Sequence, residues 1–139
     1  MKKLFATGIA FILVSCAQTS PVTTTQSAAP SSKSVAEQLL GTWKVDLRAE
    51  PGGAPYFQNF VIESVDVATR SIKGSFYNSE ISWSRTNTAW GKTVVTFMTS
   101  DGQGDYVHTA TVQGTMMTGT STAKHRNLLV PWTAQWSMP

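Results

Sequence analysis

Few side chains in this sequence could do chemistry: two histidines, His108 and His125, a single cysteine, Cys16, and the carboxylates of Asp101 and Asp105 on a glycine-rich run. A hydrolase needs a nucleophile with a base within hydrogen-bond reach. His108 falls in an alternating stretch that puts Tyr106 and Ala110 on its own face, the setting of a hydrogen-bonded interior histidine, and His125 stands in Lys124-His125-Arg126, which reads as a solvated turn. Whether Asp101 or Asp105 approaches either histidine is open at this level. Asp101-Gly-Gln-Gly-Asp105 offers oxygen ligands of the kind a hard cation takes, but its two carboxylates and their spacing do not make an EF-hand loop, and a glycine-rich hairpin turn accounts for the same residues. The glycines precede a strand pattern and no helix N-terminus, so they do not read as a phosphate cradle. No catalytic residue, metal ligand or cofactor is expected.

Cys16 closes a segment with a basic start, Lys2-Lys3, and an apolar run from Leu4 to Val14 broken only by Thr7 and Gly8. That is the layout of a secretory signal, and the run is shorter than the roughly 20 apolar residues of a membrane span. Leu13-Val14-Ser15-Cys16 resembles the lipobox of bacterial lipoproteins, in which the cysteine sulfur is acylated and the chain is cut before it. The resemblance implies a signal peptide over 1–15 and a lipid bilayer as partner through Cys16. It also implies residence in the bacterial cell envelope. Ala17 follows where an aspartate would resemble an inner-membrane retention signal, so the outer membrane, facing the periplasm, is expected in a cell with two membranes. Loss of Lys2 and Lys3 changes the charge balance from eleven basic against eight acidic residues to nine against eight. A nearly neutral chain with dispersed charges does not read as a nucleic-acid binder.

Residues 16–34 are, after Cys16, only Ser, Thr, Pro, Ala and Gln apart from Lys33 and Val22, too polar to offset ordering entropy. They read as a disordered tether that would hold a domain about 20–25 Å from the lipid. The domain, 35–139, opens with Ser34-Val35-Ala36-Glu37, the spacing of a capping box, and predicts one or two helical turns ended by Gly41. From Gly41 the period becomes two: Trp43, Val45 and Leu47 alternate with Thr42, Lys44, Asp46 and Arg48. Strands are predicted at 41–48, 57–66, 71–77, 80–86, 92–99, 105–113, 115–122 and 131–138, separated by Gly, Pro, Asn and Asp turns. Short turns make sequential strands antiparallel neighbours, so the expected fold is all-β, an eight-stranded antiparallel up-and-down barrel preceded by a short helix. A sandwich is the alternative; only 49–56 and 123–130 are long enough to cross between sheets.

The helix, Gly41-Thr42-Trp43 at the start of the first strand and the meander that follows are similar to the calycin superfamily, the lipocalin-like and avidin-like barrels. That resemblance implies that Trp43 plugs the closed end of a barrel and that Arg126, near the last strand, packs across its face as a cation on an indole. The polar cluster with which avidins hold biotin has no match here.

Aromatic side chains are abundant, and an eight-stranded barrel either fills with them or holds one small ligand. Trp132, Ala134, Trp136 and Met138 share a face of the last strand, and Ile81, Trp83 and Arg85 share a face of the fourth. An inward Arg85 would mark a polar pocket or barrel mouth, whereas an outward face would leave Ile81 and Trp83 as an apolar patch for a partner. Trp83, Arg85, Tyr106, His108 and Trp132 are accordingly the candidate ligand-binding residues. The expected function is binding of a small apolar or amphipathic ligand at the open end of a lipid-anchored barrel. The alternative is a filled barrel acting as a structural or protein-interaction module of the envelope, including as a homo-oligomer.

Overall fold

The computed structural model describes residues 34–137. The segment expected to be a signal peptide, Cys16 and the residues through 33 expected to be a tether lie outside the described residues, as does Met138.

The capping box forms as the spacing predicts. The Glu37 backbone N–H donates to Ser34 Oγ at 3.2 Å, and the Ser34 N–H donates to Glu37 Oε2 at 2.7 Å, starting α1 over Val35–Leu39. The helix stops at Leu40, which is extended, and Gly41 begins β1, Gly41–Asp46. Two indoles serve the end of α1: Trp43 Nε1–H donates to the Leu39 carbonyl at 2.9 Å and Trp136 Nε1–H to that of Leu40 at 3.2 Å. Carbonyls at a helix end have no partner within the helix, so these bonds fasten α1 over one end of the sheet.

The remaining strands are β2 Phe57–Asp66, β3 Ser71–Phe76, β4 Ser79–Glu80, β5 Trp83–Asn87, β6 Thr93–Ser100, β7 Asp105–Gln113, β8 Met116–Ala123 and β9 Leu128–Ser137. They form one curled sheet in the order β4-β3-β2-β1-β9-β8-β7-β6-β5, every neighbouring pair antiparallel. The fold is all-β and barrel-like, with the first and last strands paired at its centre.

The expected count of eight strands needs correction, because the strand predicted at 80–86 is two. Within Ile81 and Ser82 the chain changes partner: Ile81 N–H donates to Gly74 on β3, and Ser82 N–H donates to Met98 on β6. β4 therefore pairs only with β3, and β5 only with β6. The edges of the sheet meet where β5 passes β3. They are joined by the Thr86 N–H to the Arg70 carbonyl at 2.8 Å and by the Ser84 hydroxyl, which bonds both the N–H and the C=O of Ile72 at 2.8 Å. Beside this seam Gly74 has φ 147, and a Cβ there would collide with the Val61 carbonyl across the β2–β3 pair, so only glycine fits. The last strand also starts earlier than predicted. The ladder with β8 runs through Pro131, opposite Thr120, back to Leu128, opposite Ala123, after a 3-10 turn at Lys124–Arg126.

Alternation decides what faces inward. On β6 the buried positions are Thr93, Val95, Phe97 and Thr99, and on β8 they are Met117, Gly119, Ser121 and Ala123. The helix end is filled by Leu39, Trp43, Ile62 and Met117, and the middle by the mutually packed rings of Phe60, Phe76 and Phe97, with centroids 4.6–5.6 Å apart. Such ring clusters contribute beyond their buried area. Beyond the phenylalanine layer the inward residues turn polar.

Candidate functional site

At the end of the sheet away from α1 lies a cavity of about 430 Å³. Phe76, at the end of β3, belongs both to the phenylalanine layer and to its lining; Leu47 and Val130 add apolar wall, and Tyr56, Tyr77 and Tyr106 ring it. Tyr77 and Asn78 join β3 to β4 as a two-residue hairpin turn with φ of 53 and 63. Left-handed backbone suits asparagine but strains a bulky tyrosine, and in this turn the Tyr77 ring stands at the cavity rim. There its hydroxyl bonds that of Tyr56, with the rings 6.0 Å apart, and this bond raises the Tyr77 phenol above its usual range.

The polar wall is a relay of four side chains on four consecutive strands of the sheet. Register puts Phe97 and Ser121 on either side of His108, and Tyr106 opposite Thr99. His108 Nε2 lies 2.9 Å from Thr99 Oγ1, and its Nδ1 lies 2.7 Å from Ser121 Oγ. Trp132 Nε1–H donates to the same Ser121 oxygen at 2.9 Å. Phe97 stacks on the imidazole at 4.6 Å and Phe76 lies at 4.4 Å. Burial pushes His108 down from 6.5 to about 4, so it is neutral at neutral pH. Opposite Trp132 on β8 stands Gly119, where a Cβ would collide with the indole ring; the missing side chain leaves the space that the indole occupies as it bonds Ser121.

The mouth is organised by one carboxylate. Asp101 Oδ1 accepts the backbone N–H groups of Gln103 at 2.9 Å and Gly104 at 3.1 Å. Its Oδ2 accepts from Arg126 through Nε at 2.8 Å and through Nη2, from the Tyr106 hydroxyl at 3.1 Å, and meets His125 Nε2 at 3.4 Å. The Arg126 guanidinium, then the Gln103 N–H, hold the Asp101 carboxyl well below the usual carboxylate range. Burial, then the bond to Asp101, raises the Tyr106 phenol. The glycine-rich run is thus a turn that aims Asp101 at the 3-10 segment, and no group of metal-binding side chains occurs among the described residues.

Of the candidate ligand residues, Tyr106 and His108 line the cavity, and Trp132 supports its wall from behind Ser121. Trp83 and Arg85 do not belong to it. The break at Ile81-Ser82 turns Ile81 inward but Trp83 and Arg85 outward, so the three do not share a face; Arg85 instead donates to the Thr69 carbonyl at 2.8 Å. Arg126 does not stack on Trp43. Arg126 precedes Leu128 at the mouth, whereas Trp43 pairs with Trp136, eight positions further along β9 and about 26 Å of strand away. Trp43 itself is fully buried beneath α1.

Thr99, Ser121, Tyr56 and Tyr77 also line the cavity and are not among the candidate residues that the sequence offers, Tyr56 and Tyr77 counting there only with the abundant aromatics. The first two stand at inward positions of predicted strands, but serines and threonines at such positions are common, and only the fold puts a histidine between them.

On the outer surface an apolar row crosses five strands: Trp83 is paired with Met98, Met98 with Val107, Val107 with Thr122 and Thr122 with Leu129. Trp83 is 48% exposed and Leu129 68%. A broader depression of about 830 Å³ adjoins Val107, Thr122 and Leu129. It holds no buried polar network, whereas the smaller interior cavity does.

Comparison of the chain with family models, curated proteins and solved structures finds no match.

Proposed function

We propose that this protein is a lipid-anchored lipoprotein of the bacterial envelope that binds a small, partly apolar ligand in a lipocalin-like or avidin-like barrel. The observation that carries the proposal is the interior cavity. At about 430 Å³ it lies within the roughly 300–1,000 Å³ of small-molecule sites, and it has their composition of ring walls and a few convergent polar groups. Buried Trp43 after a short helix, the antiparallel meander and the adjacency of first and last strands support calycin kinship. Leu13-Val14-Ser15-Cys16 supports the anchor, with the domain in the periplasm, on the outer membrane, in a cell with two membranes.

Ser121 and His108 are close enough for a nucleophile and base, but binding suits them better. Ser121 already accepts from Trp132, the far side of His108 meets a threonine and no carboxylate, and a base near 4 draws protons weakly at neutral pH.

Native mass spectrometry of the full chain purified from its own host tests the binding reading. A retained small molecule is the expected result, and a chain that stays empty and fails to take up apolar probes would refute it. Detergent partition tests the anchor: it should be lost on Cys16→Ala, and a wild-type chain that stays aqueous would refute lipidation.

The outward row from Trp83 to Leu129 favours a second reading, an interaction surface for an envelope protein or another copy of this chain. A dimer mass in the same experiment would support that reading.

A further inference from the structure

The cavity wall holds more hydrogen-bond donors than its internal contacts use. Trp132, Ser121, His108 and Thr99 carry one donor each when the imidazole is neutral, and they are joined end to end by three bonds. Trp132 only donates, and its N–H goes to Ser121. With the imidazole proton on Nδ1 the Ser121 hydroxyl proton is left over, on an oxygen that already has two partners. With it on Nε2 the Ser121 hydroxyl donates to His108 Nδ1 and Nε2–H donates to Thr99, each bond polarising the next. The Thr99 hydroxyl proton is then left over. Thr99 is 3% exposed, it lines the cavity, and His108 is the only side chain bonded to its oxygen among the described residues, whereas Ser121 already serves two neighbours. A buried donor without an acceptor costs about 1–3 kcal/mol, so this one is paired when the cavity is filled.

The charges nearby are matched. Asp101 and Arg126 neutralise one another at the mouth, and no other ionised side chain among the described residues lines the cavity. A charged ligand would lose its hydration without a counter-ion to replace it.

We propose that the cavity selects an uncharged, largely apolar molecule bearing a hydrogen-bond-accepting oxygen, a carbonyl or an ether, and that the Thr99 hydroxyl donates to that oxygen. This rests on the binding reading above and adds the ligand's chemical class and the residue that recognises it.

A matched pair of probes tests it: 2-acetylnaphthalene, which carries the carbonyl, and 2-ethylnaphthalene, in which a methylene replaces it. Binding of both to the full chain is measured by fluorescence titration. Thr99→Val, which keeps the shape and the strand preference, should weaken the ketone about tenfold and leave the hydrocarbon unchanged. Thr99→Ser should keep the ketone's affinity. The His108 ring nitrogens, followed by NMR, should show Nε2 protonated and should shift on binding of the ketone more than on binding of the hydrocarbon. If Thr99→Val treats both probes as the wild type does, the acceptor proposal fails while the cavity still binds. If the wild type binds neither probe, the binding reading fails and the proposal with it.

Discussion

The Ser84 hydroxyl bonds both backbone groups of Ile72, accepting from its N–H and donating to its C=O, each at 2.8 Å. One side chain thereby stands in for a pair of rungs where the two edges of the curled sheet meet. Ser84→Ala leaves a buried amide and carbonyl without partners and should cost about 1–3 kcal/mol. Hydrogen exchange should show the loss concentrated at Ile72; unchanged exchange there would mean that the seam is held by other contacts.

His108 makes stability depend on pH above the range of carboxylate titration. Between pH 6.5 and about 4 the unfolded chain binds a proton that the folded domain refuses, so stability falls as pH drops across that window, by about 3 kcal/mol in all. Asp46, Asp66 and Asp101, whose folded carboxyls titrate below their ordinary 3.8, lose their contributions only at lower pH. Urea midpoints taken from pH 7.5 to 4.5 check the first window. A flat profile would show that the imidazole is hydrated and protonates freely.

Tyr77 holds a backbone conformation that favours a smaller residue. Tyr77→Asn should raise stability by about 1 kcal/mol by relieving strain while weakening 2-acetylnaphthalene severalfold through loss of a rim ring. Thermal unfolding and titration of the same variant separate the two effects, and a variant that binds as the wild type does would remove Tyr77 from the site.

Gly119 is the space into which Trp132 settles. Gly119→Ala should destabilise by about 1–3 kcal/mol through overpacking and should release the Trp132–Ser121 bond, seen as a shift of the Trp132 indole N–H resonance. An unmoved resonance would show that the strand backbone absorbs the methyl.

Trp43→Ala removes a fully buried indole together with its bond to the Leu39 carbonyl. The expected cost is about 3–5 kcal/mol, read from denaturant unfolding, with detachment of α1. A variant as stable as the wild type would contradict the placement of Trp43 as the core residue of the helix end.

Local patterns alone carried much of the fold. Ser34 and Glu37 announce α1 because a capping box closes within four residues, and period-two alternation marks the strands because facing is set residue by residue along an extended chain. The same alternation put Tyr106 and His108 on one face correctly. It failed at Ile81-Ser82, where the chain exchanges one neighbouring strand for another. Nothing in the local composition marks that change of partner, so the face that the alternation predicts Ile81 to share with Trp83 and Arg85 does not exist. Arg126 illustrates a different limit: its distance from Trp43 follows from the length of β9 and the pairing of β1 with its far end.

By itself, then, the sequence determined most of the elements: a capped helix, the strands, and the residues that alternate inward along them. Each depends on interactions among residues close along the chain. Only the tertiary structure decided that Thr99, His108, Ser121 and Trp132 form one relay, that Asp101 meets Arg126, and that a cavity remains above the phenylalanine layer. Those relations run between side chains on different strands and turns, 9 to 25 positions apart along the chain. They depend on register, sheet curvature and the volume left after packing, quantities that no short stretch of chain contains.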